Sequence, residues 1–529
     1  MLHKEMSTLS TSVRFLRKAA ALLLLPWLAW SCQVVADGDY EDEIETGATP
    51  NYINITISVS ANNNPVTRAN PTPTGGEYGD GWEKGKDREN LVNNITLIFY
   101  QDGTGINTDK EEATVACVKR YAVTPMTNTG THNHKETEPE PEPEPATGYY
   151  DEEVLYTTGN QKLDETQLVI GQSYKVLVVA NAFIRATAGD KILDIRDQVL
   201  RTVYDGSGIG INATNFVMTS ETDATVTLTN PKDESANGEN KKIYYFDCIH
   251  IERLAARIDF WAKTKDPDTT NPSKATYDAN TYDHAGYVYN VGLKDADDNQ
   301  DHFVLTSITP FNVMNGNEYY FKRTNDATSP YLKDETTTNW VLDPYTASKT
   351  STTAPDYLDS KLDELKTLLA ADNHLAPAYE IKPSTQKTVD GAIFDVTEGS
   401  VKADNLIIGY PKENTLKDNG TTPLYYYATG LAFEGYYYKK NATTGGERKV
   451  FYHYLRHQGD QDIYQAHTNE TLKQTDLCPA SPAMKFGIVR NNIYRVNIES
   501  ISSDNDNLFV RILIKVKKWD KFVHTPIYM

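Results

Sequence analysis

Two places in the chain carry residue types that could enter a covalent step. Cys32 follows Ala29-Trp30-Ser31 at the end of an apolar run, Ala19–Trp30, which Arg14, Arg17 and Lys18 precede. That run is too short to span a membrane and has the form of a secretory signal. The small residue before Cys32 gives the segment the look of a bacterial lipoprotein signal, in which the thiol is acylated and the cysteine becomes the mature N-terminus. Trp30 is bulky for such a site, and an ordinary signal peptide with an incidental cysteine is the rival reading. The second place is Arg68-Ala69, inside Asn62–Gly76 (NNNPVTRANPTPTGG). Peptide hydrolysis is easiest in exposed polar loops of this kind.

No other chemistry assembles along the chain. His132 and His134 have no third metal ligand in sequence reach. Cys117, Cys248 and Cys478 show neither metal-ligand nor CxxC spacing and read as small buried hydrophobes. HExxH, GxSxG, P-loop and strand-linked GxGxxG patterns are missing, and the glycines of Gly206–Gly210 have the wrong spacing. Carboxylates are abundant, but none can be paired from sequence. The expectation is a protein that is not an enzyme and uses no cofactor or metal.

Arg68 takes its meaning from the element before it. In Tyr52–Ser60 (YINITISVS), Ile53, Ile55, Ile57 and Val59 share one face of an alternating strand, opposite Asn54, Thr56 and Ser58. The far end of the chain repeats this comb. In Phe509–Trp519 (FVRILIKVKKW), Val510, Ile512, Ile514 and Val516 share a face and Trp519 closes the run. Arg511, Lys515 and Lys517 lie opposite, with Leu513 the exception. The first comb is therefore read as removable, and the last comb of a neighbouring molecule as its replacement.

Composition agrees with a β protein that stays away from nucleic acid. The 529 residues carry 52 basic and 73 acidic side chains, a net charge of −21, where nucleic-acid binding needs clustered Lys and Arg. Tyrosine is heavy, at 34 residues against 15 Phe, and suits half-buried sheet faces. The length exceeds one core, so two domains are expected. The division is residues 1–32 as signal, 33–51 as a tether containing the acidic run Asp37–Glu45, 52–241 as an N-terminal domain whose residues 52–68 are removable, and 242–529 as a C-terminal domain. Strands are expected at Leu91–Tyr100, Tyr174–Ala182, Ile249–Trp261, Tyr287–Val291, Phe303–Pro310, Tyr436–Lys440, Val450–Leu455 and Arg490–Ile501. Short helices are expected at Ile192–Tyr204 and Asp356–Leu369. The Glu-Pro run Thr137–Gly148 reads as an extended solvated insertion, and Lys232–Lys242 as a loop.

Together these pieces resemble a family. The lipoprotein-like signal, YINITISV, the arginine in the loop after it and Leu91–Gly103 (LVNNITLIFYQDG) are similar to the N-terminal half of the Bacteroidales fimbrillins. Ile249–Trp261, Arg490–Ser500 (RNNIYRVNIES) and Phe509–Trp519 look like their C-terminal half. The likeness is nearest to the minor-fimbria, Mfa-type, shaft subunit. It implies two transthyretin-like β-sandwich domains with short helices and long loops, made as an acylated precursor held by lipid in the outer membrane at the cell surface. It implies that an Arg-specific protease cuts at Arg68-Ala69, that the first strand is lost, and that Phe509–Trp519 of another copy fills the groove. Implied partners are other copies of the chain in a head-to-tail filament and accessory anchor and tip subunits. The alternatives are a tip or anchor component of the same fimbria, or a surface glycan-binding lipoprotein using Tyr425–Tyr427 and Tyr436–Tyr438.

Overall fold

A computed structural model of the chain describes residues 49–59, 82–84, 87–101, 113–126, 149–150, 155–206, 213–220, 223–236, 239–246, 248–261, 275–321, 405–413, 429–455, 464–467, 488, 490–504, 507–520 and 525–526. These residues are mostly β. In chain order the strands begin with β1 (Asn51–Asn54), β2 (Thr56–Ser58), β3 (Trp82–Lys84), β4 (Asn94–Tyr100), β5 (Val115–Ala122), β6 (Thr124–Pro125), β7 (Tyr149–Tyr150), β8 (Leu155–Thr157), β9 (Gln161–Lys162) and β10 (Ser173–Ala180). A short helix, α1 (Ile192–Arg196), precedes β11 (Val199–Leu200), β12 (Met218–Ser220), β13 (Ala224–Thr227), β14 (Lys232–Ala236), β15 (Glu239–Tyr245), β16 (Ile249–Arg253) and β17 (Arg257–Trp261). Then come β18 (Thr276–Asp278), β19 (Gly286–Val291), β20 (Asp301–Phe311), β21 (Glu318–Tyr319), β22 (Asn405–Gly409), β23 (Gly430–Tyr438), β24 (Glu447–Tyr454), β25 (Tyr464–His467), β26 (Asn492–Asp504), β27 (Asn507–Asp520) and β28 (Thr525–Pro526).

The buried apolar side chains fall into two cores; the chain leaves the first for the second between Ala255 and Ala256, and Tyr320, Phe321, Ile407, Tyr410 and Ile493 return to the first. The first core lies beneath the sheet ordered β5-β4-β10-β12-β16-β2-β8-β6 and a smaller sheet ordered β14-β15-β1-β9. At its centre β10 is buried on both faces from Val176 to Ala180, as its continuous run of branched apolar residues requires. The second core lies under the sheet ordered β22-β17-β26-β19-β20-β23-β24, to which β27 attaches through β26. The β23–β24 hairpin follows local sequence. The β23–β24 turn holds Lys440, Asn441 and Gly445 at φ of 49°, 61° and 72°. Gly435 in β23 is required by close approach, since a Cβ there would stand 2.3 Å from the carbonyl oxygen of Val304.

Four expectations change. The strand expected over Ile249–Trp261 is two, β16 and β17, with Leu254–Ala256 between them. The helix expected over Ile192–Tyr204 stops at Arg196, because Val199–Leu200 leaves to pair with Glu318–Tyr319. The polar segment Lys232–Lys242 is not a loop but most of the β14–β15 hairpin. Its polar composition is accommodated by opposite charges placed across the strands, Asp233 against Lys242 and Glu234 against Lys241. The comb Tyr52–Ser60 is not one strand but two, β1 and β2, separated at Ile55. The helix expected at Asp356–Leu369 and the Glu-Pro run lie outside the described residues.

Candidate strand-exchange site

The segment Asn51–Val59 lies between other strands on both edges. In the smaller sheet β1 pairs in parallel with β15, Ile53 in register with Tyr244, and antiparallel with β9, Ile53 opposite Gln161. The chain then steps across at Ile55 into the larger sheet. There β2 pairs in parallel with β16, Ile57 in register with Ile249, and antiparallel with β8, Ile57 opposite Tyr156. The step is pinned by reciprocal bonds to Thr158: its N–H donates to the Ile55 carbonyl at 3.1 Å, and its Oγ1 accepts from the Ile55 N–H at 3.1 Å. Within each sheet's order, among the described residues, this one segment joins the strands on its two sides.

All four apolar residues of the first comb point into the first core. Ile53 is 1% exposed, and Ile55, Ile57 and Val59 are fully buried. The outward face is half-exposed at Tyr52, Asn54 and Thr56 and closes at Ser58, which is fully buried, while Asn51, at the mouth of the comb, is half-exposed. Polar contacts hold both that face and Asn51. Asn51 Nδ2 donates to Glu165 at 2.7 Å, Asn54 Nδ2 donates to Asn160 at 2.8 Å, and Thr157 Oγ1 donates to Asn54 Oδ1 at 2.8 Å. The Lys241 ammonium stands 5.2 Å from the centre of the Tyr52 ring.

The last comb also has partners within its own chain. β27 pairs antiparallel with β26 from Asn507 to Lys518. On its other edge β25 covers Phe509–Ile512 and β3 covers Lys518–Asp520. Among the described residues no strand is paired to that edge between Leu513 and Lys517. Leu508, Val510 and Ile512 belong to the second core, and Ile514 packs against it half-buried. The side chains of Val516 and Trp519 lie outside the described residues, as do Cys32, Arg68, Ala69 and Tyr425–Tyr427.

Sequence reading missed the charged clusters buried about β16, β17 and the start of β26. Arg257 and Asp259 alternate with the apolar residues of β17, yet both are fully buried. Arg257 Nη1 pairs with Glu89 at 3.0 Å and Nη2 with Asp259 at 2.8 Å, while the Tyr410 hydroxyl donates to Glu89. Burial alone would lower the Arg257 pKa, but Asp259 and Glu89 raise it on balance, and burial with Glu89 raises that of Tyr410. Arg253 donates through Nε to the Glu89 carbonyl at 2.9 Å and through Nη1 to Asn491 at 2.9 Å. In RNNIYRVNI, Arg490 is buried, donating to Glu413 at 2.7 Å and to the carbonyls of Tyr319 and Tyr320. That motif is thus a packing device. Opposite charges two apart on one strand, as in Arg257 and Asp259, were the signal available in sequence.

Of the tyrosines offered for glycan stacking, Tyr436–Tyr438 are described, and they are engaged within the fold. Tyr437 and Tyr438 are buried and donate to Asp301 and Asp283. One face of Tyr436 is covered by His284, with ring centroids 3.5 Å apart. Of the cysteines, Cys117 is buried and Cys248 half-buried, and neither forms a disulfide.

No described protein family matches the chain, and no curated protein does. Among solved structures the chain is similar to a protein of Parabacteroides distasonis assigned to cell adhesion, with 14% identity over 89% of this chain and 100% of that one and a TM-score of 0.37. It is similar to the tip fimbrial protein Mfa3 of Porphyromonas gingivalis, in a C-terminally truncated form, with 9% identity over 88% and 99% and a TM-score of 0.33. It is also similar to a fimbrilin, FimA, of Porphyromonas gingivalis W83, with 11% identity over 89% and 98% and a TM-score of 0.37.

Proposed function

We propose that the chain is a structural subunit of a cell-surface filament that assembles by strand exchange after proteolysis. The observation that carries this reading is the position of Asn51–Val59: the middle strand of two sheets, buried on its apolar face, and followed in sequence by the polar run Asn62–Gly76 that contains Arg68. Cutting after Arg68 frees the segment from covalent continuity with the rest of the fold. Its departure leaves backbone groups unpaired on both flanking strands and four apolar slots open. A strand from another copy satisfies both at once. Such a contact is head-to-tail and does not close, so it extends into a filament. In this reading the chain forms two transthyretin-like sandwiches, export and anchoring run through acylated Cys32, and anchor and tip subunits end the filament.

β27 is the donor in this reading, and its departure from its own sheet has a cost that must be weighed. Each buried aliphatic side chain is worth about 1.5–3 kcal/mol and each ladder hydrogen bond about 0.5–1.5 kcal/mol. The first comb has four buried apolar residues, and it pairs with β15 over Asn51–Asn54, β9 over Tyr52–Ile53, β16 over Ile57–Ser58 and β8 over Thr56–Ser58. β27 has Leu508, Val510 and Ile512 buried and Ile514 half-buried, and it pairs with β26 from Asn507 to Lys518, with β25 over Phe509–Ile512 and with β3 over Lys518–Asp520. The groove offers the fuller apolar burial and β27's own sheet the longer ladder, so burial favours exchange and strand pairing opposes it, and the uncut first strand blocks it.

The test is limited digestion of the purified non-acylated precursor with an Arg-specific protease, reading the new N-terminus by mass spectrometry and oligomers on unboiled gels. A start at Ala69 together with ladders is expected. Cleavage with a persistent monomer, or a precursor resistant at Arg68, would refute the shaft reading.

A further inference from the structure

We infer the frame in which the donor strand enters: Leu508, Val510, Ile512 and Ile514 replace Ile53, Ile55, Ile57 and Val59, running in the same direction as the strand they displace. The inference rests on the proposed exchange and deepens it, because the match between the combs alone leaves the frame open. The apolar positions recur every two residues from Leu508 to Val516, so the comb could slide or turn around. The outward face decides between the possibilities.

Ser58 is the outward position that matters, because it is fully buried, whereas Tyr52, Asn54 and Thr56 are half-exposed. A charge placed there without a partner is strongly destabilising. With Val510 at the Ile53 slot, Lys515 falls at Ser58. Reversing that frame puts Arg511 there instead. Sliding two residues further forward puts Lys518 into the comb itself. With Leu508 at the Ile53 slot, the residue at Ser58 is Leu513, an aliphatic residue between Arg511 and Lys515 on the basic face. The half-exposed positions then take Asn507, Phe509 and Arg511, which suits partly covered sites.

Charge complementarity points the same way. Ile57 is in register with Ile249 and Ser58 with His250; an inserted strand that continues this register two residues beyond β2 sets its next outward position against Glu252. Glu252 is a carboxylate with 1% exposure. In this frame Lys515 lies against it. Reversing the Leu508 frame loses that pairing and sets the larger Phe509 in the slot that holds a serine. The forward frame also keeps the existing backbone pattern, parallel to β15 and β16 and antiparallel to β8 and β9. The same quartet, Leu508 to Ile514, is what β27 buries in its own core.

The experiment uses the full chain nicked with an Arg-specific protease and a fluorescein-labelled peptide of residues 507–518, read by fluorescence anisotropy. Leu513→Lys is expected to weaken binding by at least about 100-fold, and Phe509→Lys by no more than about threefold, since it occupies a half-exposed position. Lys515→Leu is expected to weaken binding about tenfold or more, through loss of the charge facing a buried carboxylate. Tighter binding of the Lys515→Leu peptide would establish the later frame and overturn this one. A larger loss from Phe509→Lys than from Leu513→Lys would establish the reversed direction, and unchanged binding by all three would equally refute the frame. If the unaltered peptide itself fails to bind, the strand-exchange function falls, and the frame with it.

Discussion

Replacing Ile57 with alanine separates a role in blocking exchange from a role in ordinary packing. Ile57 is fully buried between Ile249 on β16 and Tyr156 on β8. Truncating a buried isoleucine to alanine costs about 2–5 kcal/mol. At 1.4 kcal/mol per tenfold, the first strand is then held roughly 30- to 4000-fold less tightly. Before cleavage this appears as a lower melting temperature, on the order of 2–4 °C per kcal/mol for a unit of this size. After cleavage the sign reverses. The altered residue leaves with the discarded fragment, so acceptor and donor are those of the unaltered protein while the blocking strand departs faster. The assay follows fragment release from the nicked chain by size exclusion with mass spectrometry, and ladder growth on unboiled gels. Leu97→Ala, in the same core but on β4, is the control, because it should lower the melting temperature without speeding release. If Ile57→Ala lowers the melting temperature but leaves release and ladder growth unchanged, the first strand does not compete with the donor and the reasoning fails.

Three further outcomes are expected. Arg257→Met leaves Glu89 and Asp259 buried without their cation and should cost about 3–5 kcal/mol in urea unfolding, whereas replacing all three with apolar residues of similar volume should cost much less; equal losses would contradict the paired-charge account. Gly435→Ala forces a Cβ to within 2.3 Å of the Val304 carbonyl oxygen and should lower stability or folded yield, with an unshifted melting curve counting against the close approach. Burial pushes the phenols of Tyr289 and Tyr410 well above the ordinary 10.0, Glu89 adding to the shift at Tyr410. Since the folded values exceed the unfolded ones, their contribution is complete below about pH 10 and fades as pH rises through the folded values. The 295-nm absorbance of these phenols should therefore rise together with loss of the far-ultraviolet β signal, and their titration in an intact fold would refute the burial argument.

Much of the fold was legible because strand alternation is a local property. Tyr174–Ala182, Tyr287–Val291 and Phe303–Pro310 fall close to β10, β19 and β20, since each run of apolar and β-branched residues fits only a buried sheet position. The first comb was legible in residue type but not in its division, because the step at Ile55 depends on Thr158, more than a hundred residues away. Polar segments were less legible. Lys232–Lys242 resembled a loop because cross-strand charge pairing cannot be seen before a partner strand is known. The burial of Arg257 and Asp259 was not legible, because Glu89 and Tyr410, which complete that cluster, come from distant parts of the chain. For the donor the four-residue spacing was visible, but the frame depends on the burial of Ser58, which only the assembled sheets reveal.

The step at Ile55 also has a mechanical consequence. A strand inserted along Asn51–Val59 has neighbours on both edges and crosses from one sheet to another partway along. Tension along a filament built this way would act parallel to the strand and shear the ladders on both sides together, instead of peeling one edge bond by bond. The bend between the sheets would further oppose sliding, because a shift by one residue would bring outward-facing polar groups into the apolar slots. Such a joint would be expected to yield abruptly under pulling force rather than creep.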